Sequence, residues 1–509
     1  MRMMKNAARI LVFAVLLALL LGMLSDLLEL KESTQMLEPF LEYAQEYDVL
    51  FIGDSQVLNG ILPLELYHKY GIASYNLGSG NSRIPVSYWK MINALDYVTP
   101  KVIVLSVTDI ELPEFPTTEG EWLHVAFDGF PMTLNKAKAI MDLTNVDRED
   151  EYGVPFKEIR KELFFLLIKY HSRWKSLEER DFKPQYNTVK GGEPFIHVSD
   201  PRYTFKLAAE DECLPEEGCG YVYLRKFIEE CQRRNIPLVL NQPPYPINLD
   251  AHKATHTAEK IAKEYGVPML NFTDTNDVVD YYVDGADPGS HLNPSGARKL
   301  TDYMGRYLKD HYELPDRRED AAYAHWNDEW NAYVDGKIKM IAEEADSLRA
   351  RLMLLHDEDF NLVLTVRPNF QYDHRNTKVA LQNIARRHVF EGDEQISERI
   401  NPLAGLNEAE AYNEGYMIIV DRDAGDEEAA VWEFYGIGER EFETSFGYVF
   451  CRMDGEWIDL SITPEDGEEV YYFDNWDDQD QDMRLVLIDR RTGKPALVMP
   501  FSREEDEEP

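Results

Sequence analysis

Only four cysteines occur in the 509 residues of this chain, too few for a disulfide framework, and no His/Cys group has the spacing of a zinc site. Positive charge is also scarce: 53 Lys and Arg stand against 93 Asp and Glu, a formal charge of −40. No basic face can easily dominate such a field, which argues against nucleic acid as the main partner. The imbalance is uneven, because residues 331–509 hold 42 acidic and 18 basic residues, or −24. That stretch reads as a solvated surface. No long internal repeat is present.

What the chain does contain begins with one uncharged apolar run, Ile10 to Leu24, preceded by Arg2, Lys5 and Arg9. The run is short for a membrane span and long for a signal-peptide core. No small-x-small cleavage site follows; the next residues are Ser25, Asp26 and Leu27. An uncleaved signal-anchor over residues 1–30 is expected, with its positive end cytoplasmic and the rest of the chain outside. A cleaved signal peptide is the alternative. Cys213 and Cys219 bracket a Pro/Gly loop and would be free to oxidise outside the cell. Cys231 and Cys451 read as buried thiols.

With 44 % hydrophobic and 12 % aromatic residues, the chain can build large cores, and its length suggests two or three domains. Lys31 to Tyr47 reads as a short amphipathic or juxtamembrane helix. "DVLFI", "GIASYNLGSG" and "KVIVLSV" read as strands with a helix between the second and third. That is a βαβ pattern implying a parallel sheet. Residues 111 to about 220 read as a helical insertion over the active edge of that sheet. Strands "IPLVLNQ" and "VPMLNF" alternate with helices before a last helix ends near Tyr312. An α/β domain over 31–312 is therefore expected, then a polar linker at 313–320. Residues 321–509 read as an acidic, β-rich α+β domain, with "RTGK" as a hairpin turn and a disordered tail.

Candidate chemistry lies at the two ends of the α/β domain. "GDS" (Gly53 to Ser55) follows the first strand, where open α/β sheets bind their ligands. Taken alone, the triplet reads first as an ordinary helix cap, because Asp and Ser are preferred N-cap residues. "VDGADPGSHLNPSGARK", after the last strand, supplies His291 as a base and Asp287 as its orienting carboxylate, four residues apart. Pro288 and Gly289 favour a tight turn that keeps Asp287 near the ring, with Asp284 as the alternative orienter. "YHSRW" offers His171, Arg173 and Trp174 as a possible acceptor groove for sugar, or an ordinary amphipathic helix. "FDNWDDQDQD" alternates carboxylates but lacks the Gly and final Glu of a calcium loop.

The stretches "FIGDSQVLNG", "YNLGSGNS", "HVAFDGFPMTLNKAKAI", "YHSRWKSL" and "GSHLNPSGARKLTDYMGRYL" together resemble the SGNH/GDSL hydrolase superfamily. More narrowly, they are similar to membrane-anchored SGNH-like proteins of Gram-positive bacteria. Those proteins are akin to the D-alanine transfer protein of teichoic acid synthesis and to alginate O-acetylation proteins. The resemblance implies a three-layer α/β fold, with Ser55 as nucleophile, His291 as base, Asp287 as its partner and Gly78 as an oxyanion donor. It also implies an extracytoplasmic O-acyltransferase acting on an envelope polysaccharide, with a membrane-bound O-acyltransferase partner and no cofactor. A glycan O-acyl esterase, or a non-catalytic glycan-binding scaffold, are the alternatives. Two departures stand out. The Gly-x-Asn-Asp block is absent, Thr108-Asp109 standing after the third strand, and the Asp–His spacing is one residue longer than the pattern. The C-terminal strands faintly resemble the interleukin-like EMT-inducer domain, which implies a binding role.

Overall fold

The structure is a computed structural model. It describes residues 2–111, 120–182, 189–197, 199, 207–245, 247–273, 278–279, 284–287, 291–344, 359–366, 415–424, 430–454, 458–464, 467, 471–474 and 483–501. A five-stranded parallel sheet organises the first part, in the order β2-β1-β3-β4-β5. Its strands are β1 (Val49–Ile52), β2 (Ser74–Asn76), β3 (Val102–Ser106), β4 (Leu238–Gln242) and β5 (Met269–Asn271). The central strands are continuous apolar runs because both faces are covered. Leu50, Ile52, Ile103, Leu105, Leu238 and Leu240 point into one core, and Val49, Phe51, Val102, Val104 and Val239 into the other. Helices Ile84–Ala94, Cys219–Arg234 and Leu249–Tyr265 cover the first face, while helix Pro294–His311 covers the second. This is a three-layer α/β arrangement.

Helix Arg2–Leu28 opens the chain, and its segment Arg9–Leu28 is long and apolar enough to cross a membrane. The following helix, Lys31–Glu42, sinks Leu37 and Phe40 into the first core, so it is part of the domain rather than a free juxtamembrane element. The insertion is helical over 120–182, as its pattern suggests.

The remaining strands build two antiparallel sheets. One has the order β14-β13-β6-β7-β8 and the other β12-β11-β10-β9. The strands are β6 (Phe360–Val366), β7 (Gly415–Asp421), β8 (Ala430–Gly436), β9 (Gly438–Thr444), β10 (Gly447–Met453), β11 (Ile458–Thr463), β12 (Tyr471–Asp474), β13 (Met483–Asp489) and β14 (Lys494–Phe501). Val363, Met417, Ile419, Val486 and Ile488 of the first sheet meet Val449, Cys451, Leu460 and Ile462 of the second, forming a sandwich. The first sheet's other face lays Leu362, Leu364, Ile418 and Leu487 into the same core as Trp326, Trp330 and Tyr333 of helix Ala324–Glu344. That core is continuous with the α/β domain.

The expected linker at 313–320 is accordingly a packed segment. Arg317 donates to both oxygens of Asp48 at 2.8 and 3.1 Å, and its N–H bonds Gly71 O at 2.9 Å. "RTGK" closes the β13–β14 hairpin, with Gly493 in the left-handed region at φ 67°. All four cysteines are free thiols, Cys231 and Cys451 being buried. The carboxylate run at 473–482 lies almost wholly outside the described residues, as does the tail.

Candidate active site

β1 delivers the chain to Gly53, which no other residue could replace cheaply. A Cβ there would lie 2.6 Å from Val57 Cγ2 and 2.7 Å from Ser106 Cβ. Asp54 is the cap of helix Ser55–Gly60: its Oδ1 accepts the Gln56 N–H at 3.1 Å. Capping is thus done by Asp54, and Ser55 occupies the first helical position with its side chain available.

Ser55 Oγ lies 2.8 Å from His291 Nε2, and His291 Nδ1 lies 2.5 Å from Asp287 Oδ2. Asp287 Oδ1 also accepts the His291 backbone N–H at 3.2 Å. The loop holds this geometry by pairing with itself. Ala286 N–H bonds His291 O at 2.9 Å, and Asn293 N–H bonds Asp284 O at 2.8 Å. Asn293 then caps helix Pro294–His311 through Gly296 N–H at 3.1 Å. Asp284 is fully buried and pairs with Lys299. The His291 and Asp287 side chains keep 22 % and 28 % of their surface exposed, so small molecules can reach them.

Gly78 does not sit as the resemblance implies. Its N–H donates to Asn76 Oδ1 at 2.8 Å, and the same Asn76 holds Val57 O and Ile61 O at 2.7 and 2.9 Å. A glycine is required there for a packing reason, because a Cβ would stand 2.4 Å from Leu58 N. One residue on, the chain is still beside the Gly53–Ser55 turn, since Ser79 N–H bonds Gly53 O at 3.2 Å. Among the described residues no acceptor takes the N–H of Gly80 or of Ser55. Trp122 of helix Gly120–Phe127 packs directly on Gly80.

The wall formed by the end of β3 carries carboxyls instead of an Asn. Asp109 adopts φ 55°, a left-handed conformation that Asp tolerates. Burial raises its carboxyl and, with Asp109 adding its charge, lifts Asp54 to about 7. Burial likewise lifts Glu111 to about 7.

A strap at 189–199, which the sequence did not single out, crosses the site. Glu193 N–H bonds Leu58 O at 2.9 Å, Asn59 Nδ2 donates to Glu193 O at 2.6 Å, and Ser199 N–H bonds Gly285 O at 3.1 Å. The strap brings the Phe195 ring to 5.6 Å from the His291 ring. Buried Lys190 ties it to the C-terminal part, 2.5 Å from Glu329 and 4.4 Å above the Trp326 ring.

The expected acceptor groove forms no part of this site. Arg173 donates to Leu28 O and Glu29 O, both at 2.7 Å, and to Asp181 at 2.8 Å, so it clasps the end of the first helix. His171 bonds Ile168 O, and Trp174 is exposed beside Lys175. Near them "HVAFDGF" builds a buried polar knot. Asp128 receives His124 Nδ1 at 2.9 Å and Tyr170 Oη at 2.7 Å.

No protein-family model matches the sequence, and no curated protein matches it either. Among solved structures the chain is similar to a candidate lipolytic protein of the G-D-S-L family from Desulfitobacterium hafniense. That match has 12 % identity and a TM-score of 0.27, covering 51 % of this chain and 98 % of the other. It is also similar to a candidate acylhydrolase from Bacteroides fragilis, with 9 % identity and a TM-score of 0.26, covering 54 % and 97 %.

Proposed function

We propose that the chain is a serine-dependent acyl-ester enzyme, with Ser55 as nucleophile, His291 as base and Asp287 as orienter. One observation carries this reading: the unbroken hydrogen-bonded line from Ser55 Oγ through the imidazole to the Asp287 carboxylate. His291 Nε2 takes the Ser55 proton as Oγ attacks the ester carbonyl. The resulting oxyanion falls to the N–H groups of Ser55 and Gly80, which bond no acceptor among the described residues. The imidazolium then returns its proton to the leaving oxygen, leaving an acyl-Ser55. A hydroxyl of the acceptor, deprotonated by the same imidazole, releases the acyl group and restores Ser55.

In the finer form of the proposal, the acceptor is an envelope polysaccharide, the acyl group is acetyl, and the donor is a membrane-bound O-acyltransferase partner. The apolar first helix holds the site outside the membrane. The exposure of His291 and Asp287 favours a second reading, in which water takes the acceptor's place and the protein is a glycan O-acyl esterase. The test is mass spectrometry of the full chain after incubation with an activated acetyl ester. Wild type gains one acetyl group on Ser55 and Ser55→Ala gains none. Identical adducts on both would remove the nucleophile assignment. Product partition between free acid and acylated oligosaccharide separates transfer from hydrolysis.

A further inference from the structure

The apolar run Ile10 to Leu24 would be about 22 Å long as a helix, shorter than the ~30 Å hydrocarbon core of a bilayer. Spanning that core from Arg9 requires the helix to continue to Leu28, which gives the 20-residue segment Arg9–Leu28. Leu28 is also where the globular part takes hold, through the bonds from Arg173 to Leu28 O and Glu29 O. If this helix spans the bilayer, the elements around Arg173 stand at the depth of the outer headgroups.

Those elements carry large apolar side chains exposed among polar ones on their outer surface. Segments Leu166–Tyr170, His171–Lys175 and Glu179–Phe182 all touch the first helix. Exposed large apolar side chains lie on them or at their borders: Phe165 at 68 %, Ile168 at 48 %, Trp174 at 64 % and Phe182 at 63 %. Met132, on the neighbouring loop, and Leu134, which opens the helix Leu134–Leu143, are exposed as well. A cleft of about 590 Å³ joins the two parts, its lining shared by Leu21 of the apolar run, Met132 and Phe165 with charged residues such as Glu29, Lys31 and Lys136. Single exposed apolar residues are ordinary, but a cluster that continues the surface of a membrane-length helix has a bilayer as its natural cover. Trp174 carries Lys175 5.6 Å from its ring, the pairing of an apolar body and a cation suited to the headgroup zone. Glu29, at the same level, is lifted to about 8 by burial, so it carries a proton at neutral pH.

We propose that Met132, Leu134, Phe165, Ile168, Trp174 and Phe182 form a collar embedded in the outer interface of the bilayer. The domain then rests on the membrane at a fixed height and tilt instead of swinging from a tether. The inference rests on the first helix being a membrane span, not on the chemistry of Ser55.

The experiment reconstitutes the full chain into phosphatidylcholine vesicles whose acyl chains are either plain or brominated near the headgroup end. Flotation reports membrane insertion, and quenching of tryptophan emission reports depth. The first helix contains no tryptophan. Wild type floats and is quenched by bromine, and Trp174→Phe removes that quenched component. A second variant, Phe182→Trp, adds a quenched component. The control Val222→Trp, at an exposed apolar position on helix Cys219–Arg234, adds an unquenched one. Protein that floats with equal quenching in wild type and Trp174→Phe, or with no added quenching in Phe182→Trp, overturns the collar alone. Protein that does not float overturns the collar and the membrane span together. The nucleophile assignment stands in either case.

Discussion

Asp287 Oδ2 stands 2.5 Å from His291 Nδ1, across a turn closed by the bond from Ala286 N–H to His291 O. Three residues before Asp287, the carboxylate of Asp284 is paired with Lys299. The two aspartates of one loop therefore do different work, and their amide variants separate it. Asp287→Asn is expected to lower kcat by roughly 10³–10⁴-fold with an unchanged melting temperature. Asp284→Asn is expected to cost on the order of 2–4 kcal/mol of stability, because it strips Lys299 of a buried partner. Steady-state kinetics beside thermal melts check both; a kinetic collapse confined to Asp284→Asn would reverse the roles.

Asn76 is the polar centre of the nucleophile turn, fully buried, holding two carbonyls of the Ser55 helix region and the Gly78 N–H. Asn76→Ala takes this partner from the Gly78 N–H and Ile61 O in a buried interior, while Val57 O keeps the Ile61 N–H. A loss of about 2–4 kcal/mol is expected, with a lower acylation rate at temperatures where the variant is still folded. Denaturant midpoints measure the first and pre-steady-state acylation the second.

The buried Asp54 carboxyl sits at about 7 instead of its ordinary 3.8. A carboxyl that holds its proton more tightly when folded contributes fully at low pH, and that contribution is lost as pH climbs towards 7. Asp54→Asn keeps an oxygen for the Gln56 N–H and removes the titration. Wild type and variant are predicted to match in stability near about pH 4, with the variant ahead by on the order of 2–4 kcal/mol at about pH 8. Melting curves across that range test it; a gap that does not change with pH would refute the assignment.

Arg173 clasps two backbone carbonyls and the Asp181 carboxylate, whose side chain is fully buried. Arg173→Ala is expected to open the junction near Glu29 to protease while leaving turnover of a small soluble ester within about twofold of wild type. Limited proteolysis followed by fragment mass measurement checks the first part. A large fall in turnover of the soluble ester would return Arg173 to the active site.

Much of the α/β part is legible because its signals are local. "VLFI" is apolar at every position because both faces of β1 are buried, and Gly-Asp-Ser marks a tight strand-to-helix turn. "DPGSH" sets Asp287 and His291 on one turn within five residues. What escapes is decided by contacts with no local trace. Gly78 and Gly80 stand two apart in one glycine-rich turn, and only the fold-back of the Asn76 side chain decides which amide is occupied. Phe195 reaches His291 through a strap whose hydrogen bonds run from backbone to distant backbone. The place of Arg173 is hidden for a related reason: it binds main-chain carbonyls, which every residue possesses, so nothing in the sequence around Leu28 and Glu29 advertises the contact. In the C-terminal part the alternation of "GYVFCRM" is plain, buried and exposed in turn. The pairing of β6 with β13, more than a hundred residues apart, is not.

Lys190 has 2 % of its surface exposed, with Glu329 as its counter-charge and the Trp326 ring beneath its ammonium. The chain on one side of this contact leads to Phe195 above the imidazole, and helix Ala324–Glu344, on the other, is the floor of the β-sandwich. An excised fragment ending at Tyr312 would keep Ser55, Asp287 and His291 yet strand a buried cation in the wall beside them. The unit that can be moved to another protein is therefore the α/β part together with the β-sandwich. A recombination point placed at the polar stretch after Tyr312 would cut through the keystone rather than between two stones.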